Sequence, residues 1–156
     1  CKYIHKLEKG NGANIKKYDY SIEMSRDIIS IDTATFRSIG LSSDELSKRM
    51  SENLSYEIFI KYIDDIPAGF IGIMKVSTPH YLAHWIDLIA VSPDYQGKGV
   101  ARDMARYVKN YVRENYPASE FMSALVRSSN TASLRSLESE GFRPDGKGSF
   151  ELLFSE

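Results

Sequence analysis

Cysteine is all but missing. The chain carries one, Cys1, so no internal disulfide can form and the fold must be held by its core. The terminal place of that thiol reads as a trimmed end rather than a nucleophile or a lipid anchor. Long apolar runs are absent as well: polar residues break each one within about ten residues, roughly half of what spans a bilayer. No stretch has the form of a secretory leader. Neither sign of charge prevails, with 20 Lys plus Arg against 21 Asp plus Glu and a net charge of −1. That balance removes the electrostatic case for nucleic acid or an anionic membrane as a partner. Repeats, low-complexity tracts and linkers are missing too. No metal site is expected, and the default location is the cytoplasm.

What remains is an ordinary soluble composition. With 156 residues, 42% of them hydrophobic and 26% charged, the chain suits one domain large enough to bury a core. Residues 1–17 hold five Lys and Asn11-Gly12 with little periodicity, and read as a polar N-terminal arm; residues 18–156 make the domain. Alternation at Tyr18, Tyr20 and Ile22 predicts a first strand, and Ser25 an N-cap for a helix carrying Ile28, Ile29, Ile31 and Phe36. Ser42-x-x-Glu45 is a capping box opening a second helix. Strands over 56–63 and 68–76 flank the turn residues Asp64-Asp65-Ile66-Pro67, and a third follows over 83–91, spaced as an antiparallel meander.

The stretch after that third strand carries the chemistry. Ser92-Pro93 leads into Gln96-Gly97-Lys98-Gly99, which opens directly on a helix with Val100, Met104, Tyr107, Val108, Tyr111 and Val112 on one face. Such a loop aims several unpartnered backbone N–H groups at one point, and the helix N-terminus adds partial positive charge. The combination suits phosphate. A P-loop would need Lys and Ser or Thr after the second glycine, where Val100 and Ala101 stand; a dinucleotide fingerprint would need glycine at Arg102. Further on, residues 121–126 are apolar enough for a buried strand. Ser128-Ser129-Asn130 then caps a short helix with Leu134 and Leu137, and Gly141 supplies a left-handed turn folding Phe142 onto Leu137. Strands around Phe142 and over 150–154 close the chain.

Gln96, Gly99 and Ala101, preceded by Val91-x-Pro93, resemble the acyl-CoA-binding motif of the GNAT family of N-acyltransferases. Asn130 with Gly141-Phe142 resembles that family's second characteristic segment, and the order of elements is similar along nearly the whole chain. The resemblance implies an α/β (α+β) fold: one domain, a mixed and mostly antiparallel sheet, a splayed parallel strand pair and flanking helices. It implies acetyl-CoA as cofactor, its amide-bearing arm paired with backbone groups of Ile89 and Val91. The pyrophosphate would lie on the amides of Gln96, Gly97, Lys98, Gly99, Val100, Ala101 and Arg102, with the Lys98 side chain either on phosphate or in solvent. Asn130 matches a position that reaches the cofactor, or serves only as a helix cap.

The same resemblance makes Asp87 the candidate base for the amine, with structural pairing to a nearby base as the rival role. Two-residue alternation puts its side chain on the face of Val91, whose N–H is a candidate oxyanion donor. The family's usual acid, a tyrosine seven residues after the asparagine, is here Leu137, which cannot protonate a thiolate. Tyr81 and Tyr116 stand as substitutes; His80 and His84 receive no role, and Trp85 is assigned to the sheet or the acceptor cleft. The expected activity is acetyl transfer to a primary amine of a small molecule or peptide, by direct attack in a ternary complex. A non-catalytic acyl-CoA-binding module and a plain interaction domain are the competing readings, and an edge-strand homodimer is left open.

Overall fold

Among the described residues, five strands form one sheet in the order β1-β2-β3-β4-β5. The computed structural model describes residues 14–35, 40–126, 129–146 and 152. Along the chain come β1 (Ile15–Lys17), α1 (Ile22–Thr35), α2 (Ser43–Ser51), β2 (Tyr56–Ile63), β3 (Ile66–Ser77) and β4 (Leu82–Val91). A 3-10 turn (Pro93–Tyr95), α3 (Val100–Asn115), β5 (Met122–Ala124) and α4 (Thr131–Ser139) follow. The first four strands pair antiparallel, and β5 lies parallel to β4.

The first strand differs from expectation. It is Ile15–Lys17, paired with Lys61 to Phe59, so the end of the predicted arm belongs to the sheet. Tyr20, with φ 66°, takes a left-handed turn that stops the extended run. The helix then starts at Ile22 with Ser21 as its cap: Ser21 Oγ accepts the Met24 N–H at 3.2 Å. Ser25 is buried inside the helix instead, its hydroxyl donating to the Ser21 carbonyl at 2.7 Å. A serine bonding back one turn looks like a cap in sequence but leaves the helix unbroken. Elsewhere the local chemistry is as read. Ser42 and Glu45 bond reciprocally as a capping box; Gly141 has φ +92°, and the Phe142 N–H reaches the Leu137 carbonyl at 3.1 Å. Phe142 lies in no strand, β5 is shorter than the predicted 121–126, and residues 1–13, Phe36, Ser128, and 150–151 and 153–154 of the predicted last strand lie outside the described residues.

The sheet has apolar residues on both faces. On one face Phe59, Ile71, Ile73 and Ile86 pack with Val100, Met104 and Val108 of α3 and Leu137 of α4. On the other, Ile58, Ile60, Phe70 and Ala90 pack with Tyr18, with Ile28 and Ile31 of α1 and with Leu46 of α2. Each buried Ile, Leu, Val, Phe or Met among them contributes about 1.5–3 kcal/mol. One close approach positions the glycine loop. A Cβ on Gly69, the register partner of Val91, would meet the Ala90 carbonyl at 2.7 Å and the Val100 and Met104 side chains at 3.1 Å. Bare backbone at Gly69 therefore lets the first turn of α3 settle at the end of β4.

Candidate active site

Pairing between β4 and β5 covers His84↔Met122, Trp85↔Ser123 and Ile86↔Ala124, and then stops. β4 continues to Val91. Its N–H and C=O groups alternate sides, and the Ser92 N–H bonds the Ala68 carbonyl at 2.8 Å. Ala90 therefore also faces β3, while the backbone groups of Ile89 and Val91 face the side that β5 has left. No described strand takes them up there. The Val91 carbonyl accepts from the Gln96 side-chain amide at 3.3 Å, which ties the loop back to the strand end.

The loop holds two left-handed residues, Gly97 (φ +75°) and Gly99 (φ +77°). A Cβ at Gly97 would meet nothing within 4 Å, and at Gly99 only the Arg102 guanidinium at 3.3 Å. The backbone conformation, more than crowding, calls for glycine. Gly99 is the N-cap of α3 and carries no side chain to cap it. The first intrahelical bond runs from the Asp103 N–H to the Gly99 carbonyl at 3.0 Å, so the amides of Val100, Ala101 and Arg102 have no intrahelical acceptor. Gln96, Gly97, Lys98 and Arg102 are exposed around them. Lys98 Nζ rests 5.4 Å from the centre of the Tyr95 ring. Asn130 caps α4, its Oδ1 accepting the Ser133 N–H at 3.2 Å.

Asp87 sits where the register slips. Ile73 faces Ile86 and Gly72 faces Leu88, which leaves Asp87 as the extra residue of a bulge. The bulge overturns the face expected from alternation. Ile89 and Val91 pack with the α3 side, whereas Leu88 and Ala90 pack with the α1 side. Asp87 Oδ2 accepts the hydroxyl of Tyr56, which also packs on the α1 side, at 2.7 Å. The carboxylate therefore meets its partner on the face opposite Val91. Burial, and then the adjacent Asp87 carboxylate, push the Tyr56 hydroxyl well above the usual tyrosine range, so it stays protonated and donates.

The other candidates have separate occupations. Leu137 is 5% exposed in the core. Tyr116 gives its hydroxyl to Glu57 and stacks on His84, and Tyr81 stacks on Phe121 at 5.0 Å. Trp85 is partly exposed opposite Met74. Tyr56 was not foreseen. The one sequence signal for it is Gly72, a glycine inside a strand, which marks a bulge or a close approach.

The model of the Acetyltransferase (GNAT) family matches residues 26–142. The chain belongs to the GNAT family of acetyltransferases. Solved structures of other acetyltransferases share the fold of this GNAT chain. An aminoglycoside acetyltransferase from an uncultured soil metagenomic sample superposes with a TM-score of 0.72 at 14% identity, over 91% of this chain and 94% of its own. A ribosomal-protein-alanine N-acetyltransferase from Brucella melitensis gives 0.70 at 15% identity, over 90% and 98%. An aminoglycoside 6'-N-acetyltransferase from Acinetobacter haemolyticus gives 0.66 at 16%, over 92% and 99%. No curated protein matches this GNAT chain by sequence. In this member of the family, the glycine loop and the β4 opening adjoin at Val91, and the bulge carboxylate lies four residues before it.

Proposed function

We propose that this GNAT acetyltransferase moves an acetyl group from acetyl-CoA to a primary amine by direct attack, with both substrates bound, in the cytoplasm. The observation that carries the reading is the continuity of two backbone surfaces. Amides at 100–102 without an intrahelical acceptor suit a diphosphate, and the edge of β4 that β5 has left, at Ile89 and the Val91 N–H, suits an extended chain of amides. The residues present fit the cofactor, since Gly97 and Gly99 leave the loop open and the first turn of α3 carries no side-chain cap. When bound, acetyl-CoA supplies an acyl thioester: the amine lone pair forms the C–N bond, the C–S bond breaks, and one nitrogen proton ends on sulfur.

The chain's own part is positioning and proton handling. The Val91 N–H faces the opening, where a donor to a developing oxyanion belongs. Asp87 takes the proton that turns an ammonium acceptor into a neutral amine, directly or through one water. Phosphate contacts from Lys98 and Arg102 add to the amide cradle. The acceptor is a small-molecule or peptide amine. Two neighbours named for aminoglycosides and for a ribosomal protein's alanine suggest the first two classes to try.

The test is release of free thiol from acetyl-CoA with sisomicin, spermidine and an alanine-initiated peptide as acceptors. Acceptor-dependent release, with one acetyl group gained per thiol, supports the assignment. Tight CoA binding with no release for any acceptor would leave only a cofactor-binding module.

A further inference from the structure

Gly72 lies in the middle of β3, where glycine weakens a strand, so its presence has a local reason. A Cβ there would come 2.1 Å from Tyr56 Oη, 2.7 Å from Cζ and 3.0 Å from Cε1. The ring of Tyr56, two strands from Asp87, thus lies across β3 in the space a side chain would fill. It crosses at the register slip that makes Asp87 the extra residue. The hydroxyl then meets Asp87 Oδ2 at 2.7 Å. An exposed aspartate on a bulge has two free torsions, and this bond fixes one of its oxygens.

We propose that Tyr56 is a positioning residue that holds the Asp87 carboxylate for proton abstraction, and that Gly72 is the residue that lets it reach. This rests on Asp87 acting as the base in the reading above. Tyr56 is not the missing acid. Its one hydroxyl proton is already given to Asp87 Oδ2 at 2.7 Å, and burial beside that carboxylate keeps it there. The competing role is a plain strut tying β2 to β4 across β3.

Steady-state thiol release from acetyl-CoA separates the two, for the wild type, Tyr56→Phe, Asp87→Asn and the double variant. Sisomicin, spermidine, an alanine-initiated peptide and water serve as acceptors. Asp87→Asn should lower kcat about 100-fold, and Tyr56→Phe about 10-fold, with KM for acetyl-CoA unchanged. In the Asp87→Asn background Tyr56→Phe should cost nothing further, because there is no base left to hold. Gly72→Ala, which forces the ring aside, should match Tyr56→Phe; if it fails to fold, Tyr56→Phe alone decides, with circular dichroism as its folding control. A Tyr56→Phe rate near wild type beside an impaired Asp87→Asn overturns the proposal. So does an equal Tyr56→Phe loss in both backgrounds. An unimpaired Asp87→Asn removes the base and the proposal with it, whereas no release by the wild type with any acceptor overturns the acetyl-transfer reading on which the proposal rests; the wild-type and Asp87→Asn rates tell the two failures apart.

Discussion

His84 is 1% exposed, and its two ring nitrogens are treated unequally. Nδ1 shares a hydrogen with Ser119 Oγ at 2.9 Å, while Nε2 is buried with no hydrogen-bond partner among the described residues. A charged ring carries hydrogen on both nitrogens, and the one on Nε2 has nothing among the described residues to accept it. Burial therefore lowers the imidazole pKa from its ordinary 6.5; Glu57 opposes the shift and Lys75 adds to it. Above 6.5 the ring is neutral folded and unfolded, and the full stability is present. As pH falls below that value the unfolded chain takes a proton first, so stability is lost down toward the lower native value. Urea unfolding between about pH 7.5 and pH 5.5 should show this fall, and His84→Gln should flatten it. A second residue-scale test concerns Gly99, whose φ of +77° and place before bare amides both exclude a side chain. Gly99→Glu should abolish CoA binding by calorimetry and leave the far-UV dichroism of the sheet intact. Unchanged affinity would mean that the glycine only makes a turn.

At the scale of the element, β4 does most of the positioning. One of its edges pairs with β3 along its length, the other with β5 only as far as Ile86. Between these lies a one-residue bulge that reverses which face each later side chain takes. The glycine loop, the α2 capping box and the Gly141 turn were legible because each is local chemistry, written in residues a few positions apart. The bulge was not. Asp87 sits between apolar neighbours just as an alternating strand would have it, and an inserted residue leaves no mark in the alternation itself. Tyr56 was hidden for the same reason, since its contact spans three strands. The early strand placed at 18–22 failed because a tyrosine in the left-handed region cannot be read from pattern. The α3–β3 contact gives an element-scale prediction. Gly69→Ala should destabilise by about 2 kcal/mol in chemical unfolding, because the Met104 tip can swing away but the Ala90 carbonyl at 2.7 Å cannot.

Taken whole, the molecule is a sheet that is closed at one end of its parallel pair and open at the other. At the closed end the His84 N–H bonds the Phe121 carbonyl at 3.1 Å, and the Leu82 carbonyl accepts the Glu120 N–H at 2.8 Å. At the open end β4 runs on past β5, still paired with β3, into the glycine loop. Among the described residues no helix is long and apolar enough to cross a membrane. The two-sided core holds this asymmetry: α3 and α4 seat the loop, while α1 and α2 cover the face where Asp87 meets Tyr56. A cofactor lying along the opening would join both ends of the site in one contact surface. Residue-resolved amide NMR during titration with CoA tests that arrangement most directly. The amides of Ile89, Val91 and residues 97–102 are expected to shift together and gain protection from exchange, with those of β1 and β2 unmoved. Binding that leaves the 89–91 and 97–102 amides undisturbed, or no binding at all, would contradict it.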